Sequence, residues 1–257
     1  MTKLTTRDPL GCFFLDSCVL ISEILNENNP RIEKFKNDVK THSIPCYFSD
    51  SVEKETQAKV NTTTNFLGNA IKDTILIHLE ESRRKRGISV SDPMNNDDIK
   101  ALEQLFNGFH SAVRTSGVSL PNPLSLIEEW VISYIARNLD KGVSFDISDL
   151  IRDLIKSVLK LSVDIQNSLD LLIKFERGFV QKKSVPFDTR ISTSIQALGI
   201  HSSDADHIAS AIANHCASSE KTIFVTIDFS TLLNKRNAIR TTHGIECCDP
   251  LYAFHHL

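Results

Sequence analysis

The chain has 257 residues, 41% of them hydrophobic, and a formal net charge of −3 at pH 7. That apolar content suffices for a large buried core, and the slightly acidic balance excludes a chain-wide basic surface of the kind that attracts nucleic acid. The six cysteines include no C-x-x-C pair and mostly lie in apolar runs, which indicates a reduced intracellular protein.

The N-terminal stretch MTKLTTRDPLG lacks the apolar region of a secretory signal peptide. The longest apolar runs of the chain are far shorter than the ~20 residues that a membrane-spanning helix needs. We therefore expect a cytoplasmic protein with no membrane partner.

The first part of the chain alternates strands and helices. Residues 12–15 form an apolar strand that ends at Asp16, and a helix follows over residues 17–26. A second helix covers residues 30–42, and a second short strand covers residues 43–49. Strands linked by helices in this way predict the start of a parallel sheet.

From Ser51 to about Phe179 the chain shows helical periodicity almost throughout, interrupted at Pro93, residues 117–123 and Gly142. The alternating pattern then returns with helices at 189–200 and 202–218, a strand at 221–228, a helix at 229–244 and a strand at 245–250. We therefore predict an α/β fold with a parallel sheet flanked by helices, formed by residues 10–60 and 185–257, and a large all-helical insertion at residues 61–184.

Acidic side chains stand at comparable places in this pattern. Asp16 and Asp228 end two strands, and Glu55 lies in the first turns of the helix after the second strand. Asp204 and Asp206 lie at the start of the helix that leads into the strand at 221–228. The carboxyl ends of parallel strands share one edge of a sheet with the N-termini of the following helices, so we expect these acids to converge there.

Carboxylates that lie close together raise one another's pKa and destabilise the fold unless a cation neutralises them. Mg²⁺ and Mn²⁺ prefer oxygen ligands, and Mg²⁺ usually keeps waters and substrate phosphate in its coordination sphere. Such a site can activate water for attack on phosphorus and stabilise the leaving oxygen. The pattern therefore predicts a site for Mg²⁺ or Mn²⁺.

Four motifs of the chain resemble, in order, those of the PIN-domain (PilT N-terminus) nucleases. They are FLDSCVLISEIL, FSDSVEKETQAK, GIHSSDADHIASAIA and FVTIDFSTL. The resemblance places the four family acids on Asp16, Glu55, Asp204 and Asp228, with Ser17 and Thr226 in support. Asp206 is a further candidate metal ligand, ranked after Asp204, because near the start of a helix both acids could face a metal, one of them through water. It implies a metal-dependent endoribonuclease with RNA as its partner. It also leaves open a toxin role with an antitoxin or other protein partner, an RNA-processing role, and a homo-oligomer.

Each of these acids also has a purely structural interpretation. Asp16 and Asp228 could cap helices, and Glu55 could be a solvated helix acid. Asp206 could form a capping box at the start of its helix. His207, beside these acids, is treated as a packed helix residue without a role.

The basic run Arg83, Arg84, Lys85 and Arg86 is the predicted RNA-binding segment, because such side chains contact phosphates without reading sequence. The alternative is a solvated helix face. Two rival functions stay open at this point. One is a catalytically inactive PIN module that binds RNA or protein, and the other is a flap-type DNA nuclease with the helical region as an arch.

Overall fold

The computed structural model describes residues 11–25, 29–66, 71–116, 123–173, 180–218 and 221–257. Residues 1–10 and most of the predicted break at 117–123 lie outside these ranges. The chain divides into two compact units. We call Met1–Lys59 together with Ser168–Leu257 the sheet unit, and Val60–Asn167 the helical unit.

The sheet unit is built on five parallel strands. They are β1 (Gly11–Leu15), β2 (Cys46–Phe48), β3 (Gln181–Lys182), β4 (Lys221–Val225) and β5 (Glu246–Cys248). Their order is β3-β2-β1-β4-β5, and every neighbouring pair is parallel. The predicted α/β class with a helix-flanked parallel sheet is confirmed at this level.

The helices are α1 (Ser17–Ile24), α2 (Pro30–His42), α3 (Asp50–Asn65), α4 (Lys72–Arg86), α5 (Asn96–Ser116), α6 (Pro123–Asp140), α7 (Ile147–Ile173), α8 (Thr189–Gln196), α9 (Ser202–Ala217) and α10 (Leu232–His243). A 3-10 helix covers Pro250–His256. The boundaries between the two units fall within α3 and α7.

Both faces of the sheet are covered, which explains why the central strand β1 is buried at every position and carries no charged side chain. Successive side chains of β1 point to opposite faces. Phe14 belongs to a core with residues of α8, α9 and α10. On the other face, the ring of Phe13 lies edge-on to Phe35 of α2 and Phe254 of the 3-10 helix, with centroid distances of 5.1 and 5.0 Å.

The winding of the sheet reverses at β1. The chain proceeds from β1 to β2 and β3 on one side, and then places β4 and β5 on the other side. The carboxyl ends of β1 and β4 therefore flank the point of reversal, where ligands bind in open parallel sheets.

In the helical unit, the described residues form helices and no strand, with α4 packed on α5 and α5 on α6. Its core includes the buried side chains of Leu79, Leu102, Phe106, Val131 and Leu154. In the part of the chain that the structure describes, no helix combines the length and hydropathy needed to cross a bilayer.

Two strand predictions differ from the structure. β3 lies inside the range 61–184 that was predicted to be all-helical, because a two-residue edge strand with both residues exposed has no apolar pattern. The strand predicted over residues 221–228 ends at Val225, so Asp228 lies three residues beyond it.

Candidate metal centre

Asp16 follows β1 directly and is almost fully buried at 2% exposure. It occupies the cap position of α1, and its Oδ1 accepts a hydrogen bond from the backbone N–H of Ser17 at 2.7 Å. Its Oδ2 accepts from the hydroxyl of Thr226 at 2.7 Å and from the thiol of Cys18 at 2.9 Å. The carboxylate is therefore both a helix cap and a group held rigidly at the end of the strand.

These donors keep Asp16 ionised. Burial by itself raises the pKa of the carboxyl, but the hydrogen bond and charge of His207, with the donors Cys18 and Thr226, outweigh burial. The pKa of Asp16 is consequently lowered from its ordinary value.

His207 of α9 is fully buried between two of the acids. Its Nδ1 lies 2.9 Å from Oδ1 of Asp16, and its Nε2 lies 3.2 Å from Oε2 of Glu55. The first contact is a hydrogen bond, whereas the second has ion-pair distance without hydrogen-bond alignment. Burial lowers the pKa of His207, but Asp16, Glu55 and Asp204 more than offset it, so the pKa is raised. The cluster thus favours the imidazolium, which carries a positive charge and has no lone pair for a metal.

Glu55 reaches the cluster from α3. Its Oε1 lies 3.2 Å from the ammonium group of Lys59, and its buried Oε2 faces His207 without a hydrogen bond. The neighbouring acid Glu53 points elsewhere and pairs with Lys182 at 2.7 Å. Glu55, and not Glu53, therefore contributes a carboxylate oxygen here.

Asp204 lies in the first turn of α9. Asp16, Asp204 and His207 each place one potential ligand atom within 4.8 Å of the others. Burial and the charges of Asp16 and Glu55 raise the pKa of Asp204 to about 6, with a further contribution from Asp228. The charges of the other three acids in the motifs therefore all contribute to the raised pKa of Asp204.

Asp228 is held in a turn after β4. Its Oδ1 accepts hydrogen bonds from the N–H and hydroxyl of Ser230 at 2.9 and 2.6 Å, and from the N–H of Thr231 at 3.1 Å. Its own N–H donates to the hydroxyl of Thr226 at 3.1 Å. Because that hydroxyl donates to Asp16, Thr226 links the ends of β1 and β4.

Asp206 does not join the grouped ligand atoms among the described residues. Its Oδ1 accepts a hydrogen bond from the hydroxyl of Ser192 on α8 at 2.6 Å. The cap position of α9 is His201, so Asp206 does not occupy the position that its alternative interpretation as part of a capping box requires. Its carboxylate instead ties α9 to α8.

The predicted RNA-binding run is corrected at Arg83, which is fully buried. The guanidinium of Arg83 pairs with Asp98 at 2.7 Å, and Arg86 pairs with the same carboxylate at 2.6 Å. Arg84 and Lys85 are exposed. Four consecutive basic residues on a helix point in different directions, because each residue is rotated by about 100° from the one before. The sequence alone therefore does not show which of them faces the interior.

The donor set suits a hard divalent cation. Carboxylate oxygens are the ligands that Mg²⁺ and Mn²⁺ favour, and Oε2 of Glu55 is a buried acceptor without a hydrogen bond. His207 contributes charge and orientation, because both of its nitrogens face carboxylates. The residues present therefore fit a cation held by the carboxylates.

Comparison of the chain with protein-family models, with curated proteins and with solved structures finds no match. The resemblance to PIN-domain nucleases therefore stays a prediction from the four motifs.

His207 is a residue of this centre for which no role was predicted from the sequence. Its three-residue spacing from Asp204 places both on the same side of α9, which is the signal that could have identified it. Cys18 is a second such residue, since burial and the charge of Asp16 raise its pKa and keep it a thiol that donates to Asp16.

Proposed function

We propose that the chain is a metal-dependent endoribonuclease that hydrolyses RNA phosphodiester bonds, in a toxin-type or an RNA-processing role. The observation that supports this most directly is geometric: potential ligand atoms of Asp16, Asp204 and His207 lie within 4.8 Å of one another, and Oε2 of Glu55 lies 3.2 Å from His207. Convergence of carboxylates at the point where the sheet reverses is costly without a cation.

The proposed cofactor is Mg²⁺ or Mn²⁺, which when bound would act as a Lewis acid and lower the pKa of a coordinated water. Asp16, Glu55, Asp204 and Asp228 would hold it. Asp16 is presented as an ionised, immobile carboxylate because three side chains and one backbone N–H fix it. Asp204 holds a proton below about pH 6, and cation binding would displace that proton.

RNA is the proposed substrate and partner because the four motifs resemble those of endoribonucleases. An antitoxin, another protein partner and a homo-oligomer are further predictions of the same resemblance.

One observation favours a second candidate, a non-catalytic module that binds RNA. The imidazolium of His207 already opposes the charge of Asp16 and Glu55, so part of the cluster is neutralised without a metal. Metal-dependent cleavage separates the two candidates.

The test compares Asp204→Asn with Asp206→Asn. Both acids start α9, but only Asp204 is coupled to the cluster. We expect the wild type to cleave labelled single-stranded RNA with Mn²⁺ or Mg²⁺, and Asp204→Asn to lose at least ~10²-fold in rate. Asp206→Asn should stay within a few-fold of the wild type. Asp204→Asn is preferred to Asp16→Asn, whose new amide would face several donors at a buried site.

Thermal unfolding with and without Mn²⁺ serves as the control for folding and metal binding. The stabilisation by Mn²⁺ should be smaller in Asp204→Asn than in the wild type. Equal cleavage by both variants would refute the assignment. Tight RNA binding without cleavage would favour the non-catalytic module, and preference for branched DNA would favour a flap-type nuclease.

A further inference from the structure

An exposed aromatic ring stands beside the candidate metal centre. Phe229 is 51% exposed and follows Asp228 directly, so their Cα atoms are only about 3.8 Å apart. A single exposed apolar side chain is common on protein surfaces and does not by itself indicate a binding site. What distinguishes Phe229 is the group that lies against its ring.

The guanidinium of Arg31 lies over this ring, with its carbon 4.8 Å from the ring centroid. Arg31 is the second residue of α2, and its Nη1 donates to Oδ2 of Asp249 at 2.9 Å. Asp249 is 4% exposed and follows β5, and its Oδ1 accepts the N–H of Leu251 as the cap of the 3-10 helix. The arginine is therefore fixed from behind by a buried carboxylate, and it orients the ring.

The position of this pair matters because the acids repel RNA. Asp228 and Asp249 both follow strand ends, so the pair lies at the sheet edge that carries the acids. A cluster of carboxylates disfavours a phosphate backbone except where a cation bridges them. Stacking on an aromatic ring attracts a nucleic acid through its bases and needs no net positive charge.

We propose that Phe229 and Arg31 form a stacking platform for one unpaired nucleobase of the RNA bound at the metal centre. The inference rests on the proposed endoribonuclease function, and it specifies the substrate as single-stranded at this nucleotide. A base in a duplex is already stacked and cannot lie on the ring. Because every base has a π-face, the platform selects for strandedness and not for sequence.

The test measures binding of a single-stranded oligoribonucleotide that carries 2-aminopurine, whose fluorescence is quenched by stacking. Asp204→Asn serves as the background, so that cleavage does not interfere. Phe229→Ala should weaken binding roughly 5- to 150-fold and abolish the quenching. Phe229→Trp should preserve both, because indole offers a larger π-face. Arg31→Lys should weaken binding less than Phe229→Ala, because it keeps the charge but loses the planar group.

Tyr252→Ala is the matched control. Its ring is 55% exposed in the same unit, and its described ring contact is with His255 at 6.3 Å and not with a guanidinium. This variant should bind RNA as the background does. Unchanged affinity in Phe229→Ala, equal loss in Tyr252→Ala, or equal affinity of the background for fully duplex RNA would each overturn the platform.

Cleavage by the otherwise wild-type chain distinguishes this proposal from the function on which it rests. If no RNA is cleaved with Mn²⁺ or Mg²⁺ but Phe229→Ala still weakens binding, the platform stands and the nuclease assignment fails. If the wild type cleaves and Phe229→Ala leaves KM and the cleaved positions unchanged, the platform alone fails.

Discussion

His207 lies between Asp16 and Glu55 and interacts electrostatically with Asp204, so one imidazolium charge opposes three carboxylates. One positive charge cannot balance three negative ones. Burial, together with this excess of negative charge, raises the pKa of Asp204 to about 6. A divalent cation would remove that excess.

The pKa of Asp204 makes the metal-free protein sensitive to pH. A carboxyl whose pKa is raised by folding stabilises the fold when protonated. That stabilisation is fully present below its ordinary pKa of ~4 and is lost as the pH rises through about 6. Without metal, we predict that Asp204→Asn raises the free energy of unfolding at pH 8 by about 1–2 kcal/mol, a value reduced for solvent screening of this partly exposed group.

Urea unfolding with a chelator at pH 8 and pH 3 checks this prediction. The difference between variant and wild type should nearly vanish at pH 3, which lies below the pKa of Asp204 in both the folded and the unfolded chain. A variant that is less stable than the wild type at pH 8 would contradict the electrostatic account.

The sequence could identify acids that end strands or begin helices, because the topology of a parallel sheet brings such positions to one edge. It could not identify His207, since a buried histidine on a helix is usually a packing residue and its partners are distant in sequence. Asp206 was included because, near the start of a helix, it and Asp204 could both face a metal. On a helix their two-residue spacing points the two side chains about 200° apart, and Asp206 bonds Ser192 instead.

At the scale of elements, Arg83 joins the end of α4 to the connection before α5. Its guanidinium donates to backbone carbonyls of Ser89, Val90, Asp92 and Pro93, and to the carboxylate of Asp98. All of its donor nitrogens are thereby used inside the helical unit. These hydrogen bonds from Arg83 hold the backbone of residues 89–93 in place.

We predict that Arg83→Met lowers the free energy of unfolding of the helical unit by about 3–5 kcal/mol, because it leaves the buried carboxylate of Asp98 without its main partner. Arg84→Met, at the next and exposed position, should change it by no more than ~0.5 kcal/mol. Fluorescence of Trp130, the only tryptophan of the chain, reports unfolding of this unit. Equal stability of the two variants would show that the Arg83 contacts contribute little.

Helices and strands with a clear pattern of apolar residues could be predicted from the sequence, whereas those without such a pattern could not. α2 spans Pro30–His42 as predicted, because proline opens it and Ile32, Phe35 and Val39 form its buried stripe. β3 has no such pattern and is defined only by its pairing with β2. A stretch from 51 onward that appears continuously helical contains both α3 and α4, since periodicity alone does not mark where one helix ends.

At the scale of the whole molecule, the chain has a net charge of −3, and several of its cations are already engaged. Lys182 contacts Asp50 and Glu53, each at 2.7 Å, and the Arg83 guanidinium is buried. The proposed RNA binding should therefore depend little on the release of counterions.

We predict that the logarithm of the RNA association constant falls with the logarithm of salt concentration with a slope of about −0.7 to −1.4. This slope corresponds to one or two neutralised phosphates on a single strand. Fluorescence anisotropy at fixed divalent cation and increasing KCl measures it. A slope steeper than about −4 would mean that exposed basic residues, such as Arg84 and Lys85, carry most of the binding.

β1 pairs with β4, with Gly11 opposite Lys221. This strand pair therefore cannot form until β4 has been synthesised, long after β1. Translation proceeds at roughly 5–20 residues per second, and Asp228 therefore follows Asp16 out of the ribosome by roughly 10–40 seconds. Throughout that interval the nascent chain lacks the turn that anchors its last carboxylate. If the proposed hydrolysis needs all four acids, it cannot begin until translation has passed Asp228.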